Sequence, residues 1–287
     1  MAKKVYLIIF ILIVSGSAYA QGISKTERIV SLNGTLTEIL CDLGLQHQIV
    51  GVDITSTYPA AMDKVPKVGH NRNIGAEAVL ALRPTVIVAA KSNGSMDIKP
   101  EVLQQFKSAG VKTLLFDQET SVAGTRALIN EVAKAVGATA KATAINRKLD
   151  ADLAKVKKPV KAQKVLFIYA RGTGTMMVSG RNTPIEKIVQ LAGAQNAFND
   201  FDNYKPLTPE ALVVGNPDVI LLFTSGLESL GGIDGLLKVQ GIAQTNAGKN
   251  RRVIEMDGQL LTGFSPRLGL AVQELSRKLN PELSLKN

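Results

Sequence analysis

Two histidines, one cysteine and a scatter of arginines and tyrosines are the residues of this 287-residue chain with chemistry to offer. His70 lies in "KVPKVGHNRNIG", a loop rich in Gly and Asn, with Arg72 two places on. His47, in "LGLQHQIVGVD", has no motif around it and reads as an exposed residue. A zinc site needs several Cys or His at ligand spacing, and neither H-E-x-x-H nor a Cys/His cluster occurs. A serine triad needs a histidine base and a presented nucleophile, and no G-x-S-x-G elbow is present. "RGTGTMMVSGRN" has the glycines of a phosphate loop without its Lys-Ser/Thr ending. Cys41, alone in the chain, cannot form an intramolecular disulfide; in "TLTEILCDLGL" it reads as a small apolar helix residue. No catalytic motif is complete, so the expectation is a protein that is not an enzyme, with catalysis kept as the second class.

The ends and the charge narrow the class. "MAKK", the apolar run "VYLIIFILIVSGS" and "AYA" before Gln21 form an export signal, expected to be cleaved after Ala20. Residues 1–20 are therefore a signal peptide, and no later stretch has the apolar length of a membrane span. The formal charge is +10, of which Lys3 and Lys4 leave with the signal. Without basic clusters interleaved with aromatics, no nucleic acid is expected as partner. A solvated basic surface accounts for the charge, while attraction to an anionic ligand or an anionic membrane surface stays open.

The elements that must position these residues alternate. "RIVSL", "IVGVD", "TVIVAA" and "VKTLLFD" read as strands, between the helices "GTLTEILCDLGL", "GAEAVLAL" and "PEVLQQFKSAG". Continuous apolar strands between helices predict mostly parallel sheets covered on both faces. Residues 121–158 lack a strand and read as one long helix, or two broken near Gly137. Alternation resumes with "KVLFIYA", "TPIEKIVQLAG", "TPEALVVG", "PDVILLF", "GLLKVQGI", "RRVIEMD" and a closing helix "GLAVQELSRKL". The expected organisation is an N-terminal α/β lobe over 21–120, a bridging helix over 121–158 and a C-terminal α/β lobe over 159–287. "AEAVLALRPTVIVAA" and "PEALVVGNPDVILLF" align without gaps on Pro84 and Pro217, so Glu77 and Glu210 take matching places seven residues earlier. First-turn acids are also what a helix dipole favours, and this reading stays open beside a shared functional one. Two lobes leave a cleft, a preferred place for a ligand.

Long blocks in order carry a resemblance: "RIVSLNGTLTEIL", "VGHNRNIGAEAVLALRPTVIVAA", "MMVSGRNTP", "NYKPLTPEALV", "GLESLGGIDGLL" and "GKNRRVIEMDGQLLTGFSPR". Over nearly all of the chain beyond the signal, they resemble the periplasmic haem-binding proteins of ABC haem-uptake systems. Those belong to the substrate-binding proteins that also serve siderophores and vitamin B12. The resemblance implies a class III periplasmic binding protein of two α/β lobes bridged by one long helix. It implies capture of haem b as a transported ligand in the interlobe cleft, in the periplasm, by a monomer. Delivery is to an inner-membrane ABC permease and its ATPase. Binding of a siderophore or corrinoid stays open in the same class, and an exported enzyme acting in the cleft in another.

The resemblance also implies site residues. The family's usual iron-binding tyrosine in "VGY" is replaced here by His70, and imidazole is itself a common haem ligand. Where some relatives offer a second-lobe histidine, this chain has Arg171; it suits a haem propionate and favours a single haem. Tyr169, two residues earlier on the same face, is the second ligand candidate. Arg72 and Arg267 are expected near propionates, Met176 or Met177 against the porphyrin, and Tyr204 at the cleft rim. Glu77 and Glu210 match acids that dock onto arginines of the permease.

Overall fold

The computed structural model describes residues 26–70, 73–92, 95–159 and 161–284. The expected export signal of residues 1–20 and Arg72 lie outside them. In the first lobe, β1 (Ile29–Ser31), β2 (Ile49–Val52), β3 (Val86–Ser92), β4 (Ser95–Met96) and β5 (Lys112–Gln118) form one sheet, with α1 (Gly34–Asp42), α2 (Ala76–Leu80) and α3 (Pro100–Ser108) around it. Its order runs β2-β1-β3, with β5 also beside β3, all parallel; β4 alone is antiparallel. Ile29, Val86, Val88 and Ala90 enter one core, while Val30, Ile87 and Ala89 enter another. This period-two division explains the unbroken apolar runs: each strand is buried on both faces.

Residues 121–158 form two helices. α4 (Val122–Ala135) and α5 (Thr139–Ala154) meet at Gly137, whose φ of +72° suits glycine. They run antiparallel, tied by Arg126–Asp150 at 2.5 Å and by Asn146 donating to Asn130 at 2.9 Å. Of the expected bridge, α5 is the part that crosses from lobe to lobe. Near its start, Lys141 donates to the Leu43 carbonyl of the first lobe at 2.7 Å. Near its end, the carbonyl of Asp152 accepts from Gln273 of the second lobe at 2.6 Å. Gly269 permits this approach, since a Cβ there would stand 2.5 Å from that of Asp152.

The second lobe contains β6 (Lys164–Ala170), β7 (Met176–Ser179), β8 (Gln195–Asn196), β9 (Tyr204–Pro206), β10 (Val219–Phe223) and β11 (Val253–Met256). Around them lie α6 (Pro184–Leu191), α7 (Pro209–Gly215), α8 (Thr224–Ser229), α9 (Gly232–Leu237), α10 (Asn246–Lys249), α11 (Gly258–Thr262) and α12 (Leu268–Leu279). β8, β6, β10 and β11 are parallel, whereas β7 and β9 add antiparallel. The glycine-rich stretch is thus the turn of a hairpin, closed by Arg171 N–H donating to the Thr175 carbonyl at 2.9 Å, and not an open loop. Val165 and Phe167 share a core with Ile29, Val88, Ala142 and Leu149, so one apolar core runs from the first sheet through α5 into the second. Among the described residues, no helix is long and apolar enough to cross a membrane.

Candidate functional site

The carboxyl ends of the two sheets face each other, where α/β folds place ligands. Gln118, ending β5, donates to the Gly263 carbonyl at 2.8 Å, as does Thr35 of α1 at 2.5 Å. A Cβ on Gly34, beyond the end of β1, would meet the Gln259 side chain, beyond the end of β11, at 2.7 Å.

His70 stands at the carboxyl end of the first sheet. Its segment returns alongside β2: Val68 donates to Val52 at 2.9 Å, and Ile54 to Gly69 at 3.0 Å. Gly69 has a φ of +113°, which turns the chain just before a half-buried His70. The neighbouring loop is set by buried Asp53, which accepts from Ser56 at 2.7 Å and from the Thr55 hydroxyl at 2.5 Å.

Tyr169 stands at the carboxyl end of β6 and is half-buried. Its ring meets Phe223, the last residue of β10, edge-on at 6.1 Å. The exposed Arg171 brings its guanidinium carbon 5.6 Å from the Tyr169 ring centroid, as alternation along the strand predicts. Across the hairpin, Met177 pairs with Tyr169, while Met176 pairs with Ala170 and packs on the opposite core. Paired residues share a face, so Met177 rather than Met176 borders Tyr169.

Arg267 is engaged elsewhere. Its guanidinium holds Glu38 of α1 at two points and lies 3.6 Å from the centroid of the Tyr58 ring. Ser265 adds a 2.7 Å bond to the same carboxylate. Burial works to lower the Arg267 pKa, but the hydrogen bond and charge of Glu38 outweigh it and hold it above the ordinary value. Glu38 escaped the sequence reading, though an acid beside the apolar stripe Leu36, Ile39, Leu40 was the available signal. Cys41 packs against the core, and burial first, then the charges of Asp42 and Glu38, push its thiol up to about 12. His47 is exposed, and Tyr204 is 39% exposed on β9.

Glu77 and Glu210 occupy the first turns of α2 and α7 and are exposed. The residues before the two prolines, Arg83 and Asn216, share left-handed φ values of 49° and 32°. The matched segments are therefore alike in backbone as well as in sequence.

Two α/β lobes with facing sheet ends, joined by a crossing helix, are the architecture of a binding protein with a cleft between its lobes. The chain belongs to the periplasmic binding protein family, whose model matches residues 29–260. It is similar to the periplasmic haem-binding protein RhuT from Roseiflexus sp. RS-1, with 37% identity and a TM-score of 0.84 over 89% of this chain and 98% of that one. The curated ABC transporter substrate-binding lipoprotein YvrC of Bacillus subtilis is 31% identical over 90% of this chain and 81% of its own length. The haem-binding protein HmuT is 31% identical, with a TM-score of 0.78 over 88% of this chain and 84% of that one. Three HmuT structures carry alanine for a histidine, a tyrosine and an arginine. The separations between those three positions are the separations between His70, Tyr169 and Arg171.

Proposed function

We propose that this chain is exported, with cleavage after Ala20, and captures haem in the interlobe cleft for delivery to an inner-membrane ABC permease. One observation carries the reading. His70 and Tyr169 stand at facing sheet ends, with the types and spacing of the positions altered in HmuT. An imidazole and a phenolate are both established haem-iron ligands, and opposite lobes would offer one to each face of the porphyrin. The Arg171 guanidinium beside the Tyr169 ring offsets the negative charge that an iron-bound phenolate brings. Met177 supplies an apolar, polarisable contact to the porphyrin. Propionates fall to Arg171 and Arg72, and Arg267 is left to join the lobes. Binding stores and releases haem unchanged, without catalysis. Glu77 and Glu210 are the docking acids for the permease.

The test is the absorbance of hemin with wild type, His70→Ala and Tyr169→Phe. Wild type is expected to sharpen the Soret band and saturate at one hemin per chain. Each substitution is expected to shift the band. Hemin that keeps its free spectrum in wild type overturns the reading; an unchanged band in either variant removes that residue as ligand.

A further inference from the structure

The positive charge of this protein is unevenly placed. In residues 21–120, ten basic residues meet ten acidic ones, whereas 121–158 hold eight basic and three acidic. The stretch Lys155–Lys164 carries five lysines and no acid. The fold then gathers more cations to the same place. Ser276 of α12 donates to the Lys157 carbonyl. Gln163 and Arg252 both donate to the Leu279 carbonyl at 2.9 Å, and Lys278 donates to the Glu255 carbonyl at 2.6 Å. These contacts join the end of α5, the start of β6, the start of β11 and the end of α12. The end of α5 and the starts of β6 and β11 lie at the amino ends of the strands, away from the cleft. A groove of about 530 Å³ between β11 and α12 is lined by Arg251, Arg252, Arg277 and Lys278, with Glu255 beside them.

Internal pairing leaves much of this charge unspent. Asp234 takes Arg251 at 2.6 Å, Glu274 takes Lys278 at 2.9 Å, and Asp152 takes Lys155 at 3.3 Å. Lys158, Lys161, Lys164 and Arg277 are exposed and have no side-chain partner among the described residues. A helix dipole accounts for cations in a last turn, such as Arg277 on α12. It does not account for Lys158, Lys161 and Lys164, which follow the C-cap of α5 at Lys155.

We propose that this end of the second lobe is a docking surface for an anionic phospholipid bilayer, which holds the protein on a membrane with its cleft turned away. Cations spread over four elements match many phosphates in a plane better than one small anion in a pocket. Juxtaposed cations of this kind act additively at a charged membrane and are screened by salt.

The test is co-sedimentation of the full chain with vesicles of equimolar phosphatidylglycerol and phosphatidylcholine. Binding is expected at low salt, and its loss near 1 M salt, where the Debye length is about 3 Å. Replacing Lys158, Lys161, Lys164 and Arg277 together by Gln is expected to weaken binding on the order of a thousandfold. Arg277→Gln alone should cost about fivefold, so the proposal does not depend on the quadruple variant folding. Lys64, Lys99, Lys107 and Lys112 of the first lobe are also exposed; replacing these four by Gln removes equal charge and should leave binding near wild type. Equal weakening by that control, or equal binding to pure phosphatidylcholine, overturns the proposal. Displacement by inorganic phosphate at constant ionic strength would instead reveal a pocket for free phosphate. Hemin binding should be unchanged in every variant.

Discussion

Arg267 and Glu38 join the two lobes through a two-point ion pair: Nε donates to one carboxylate oxygen at 2.8 Å and Nη2 to the other at 2.6 Å. Glu38 is 2% exposed, so removing its partner strands a buried carboxylate. Arg267→Ala is expected to cost about 3–5 kcal/mol in urea unfolding. Glu38→Leu with Arg267→Met should recover most of that loss, because an apolar pair needs no desolvation of charge. Hemin stoichiometry should stay unchanged in the double variant. A selective loss of hemin affinity without loss of stability would return Arg267 to a propionate role.

Gly69→Ala tests how His70 is placed. Among the described residues other than its chain neighbours, none brings a heavy atom closer than 3.7 Å to a Cβ at Gly69, so the added methyl meets backbone strain rather than a clash with them. At a φ of +113° that strain costs about 1–2 kcal/mol. Relief by rotation carries His70 with it, so hemin affinity and unfolding free energy should fall together. An affinity that holds while stability drops would show that His70 is not a ligand.

Cys41 should be inert. With its thiol pushed up to about 12, its thiolate at pH 8 is scarcer than that of an ordinary cysteine on the order of a thousandfold. Alkylation of the native protein should be slower by a similar factor and become fast in urea. Rapid native labelling would show an opening of α1.

Much of the fold was legible in the sequence, because parallel strands buried on both faces are continuous apolar runs and glycine marks helix ends. The short antiparallel strands β7 and β9 were not. Tyr204–Pro206 is wholly exposed and carries no alternation, and the glycines before Met176 read as a loop. His70 and Arg171 are singled out by the family resemblance, and Tyr169 by strand alternation from Arg171. Arg267 illustrates the limit: its partner lies 229 residues away, and no local pattern tells whether an arginine at a cleft faces a ligand or the other lobe.

Asp152 should make the bridge acid-sensitive. The hydrogen bond from Lys148, opposed by burial and aided by Lys155, holds its carboxyl below the usual aspartate value. A depressed folded pKa gives stability that is fully present above the unfolded value near 3.9 and is lost as pH falls through the lower folded value. Urea midpoints should drop between pH 5 and pH 2 by less in Asp152→Asn than in wild type. An equal drop would place the acid sensitivity elsewhere.

Glu77 and Glu210 should act together and outside ligand binding. Each sits in the first turn of a helix that leads, through a left-handed residue and a proline, into a buried strand of its own lobe. The helix therefore runs back against its strand, and its amino end points toward the cleft side of the lobe. One exposed carboxylate per lobe then forms a pair of equal charges on one side of the molecule, which suits a two-fold arrangement of cations on a permease. Reversing one charge, Glu77→Lys or Glu210→Lys, should slow haem uptake by about tenfold or more, and reversing both should abolish it. Hemin absorbance and thermal stability should not move, since both side chains are exposed. If the acids serve only their helix dipoles, each reversal costs about 0.3–1 kcal/mol of stability and uptake stays at wild-type level.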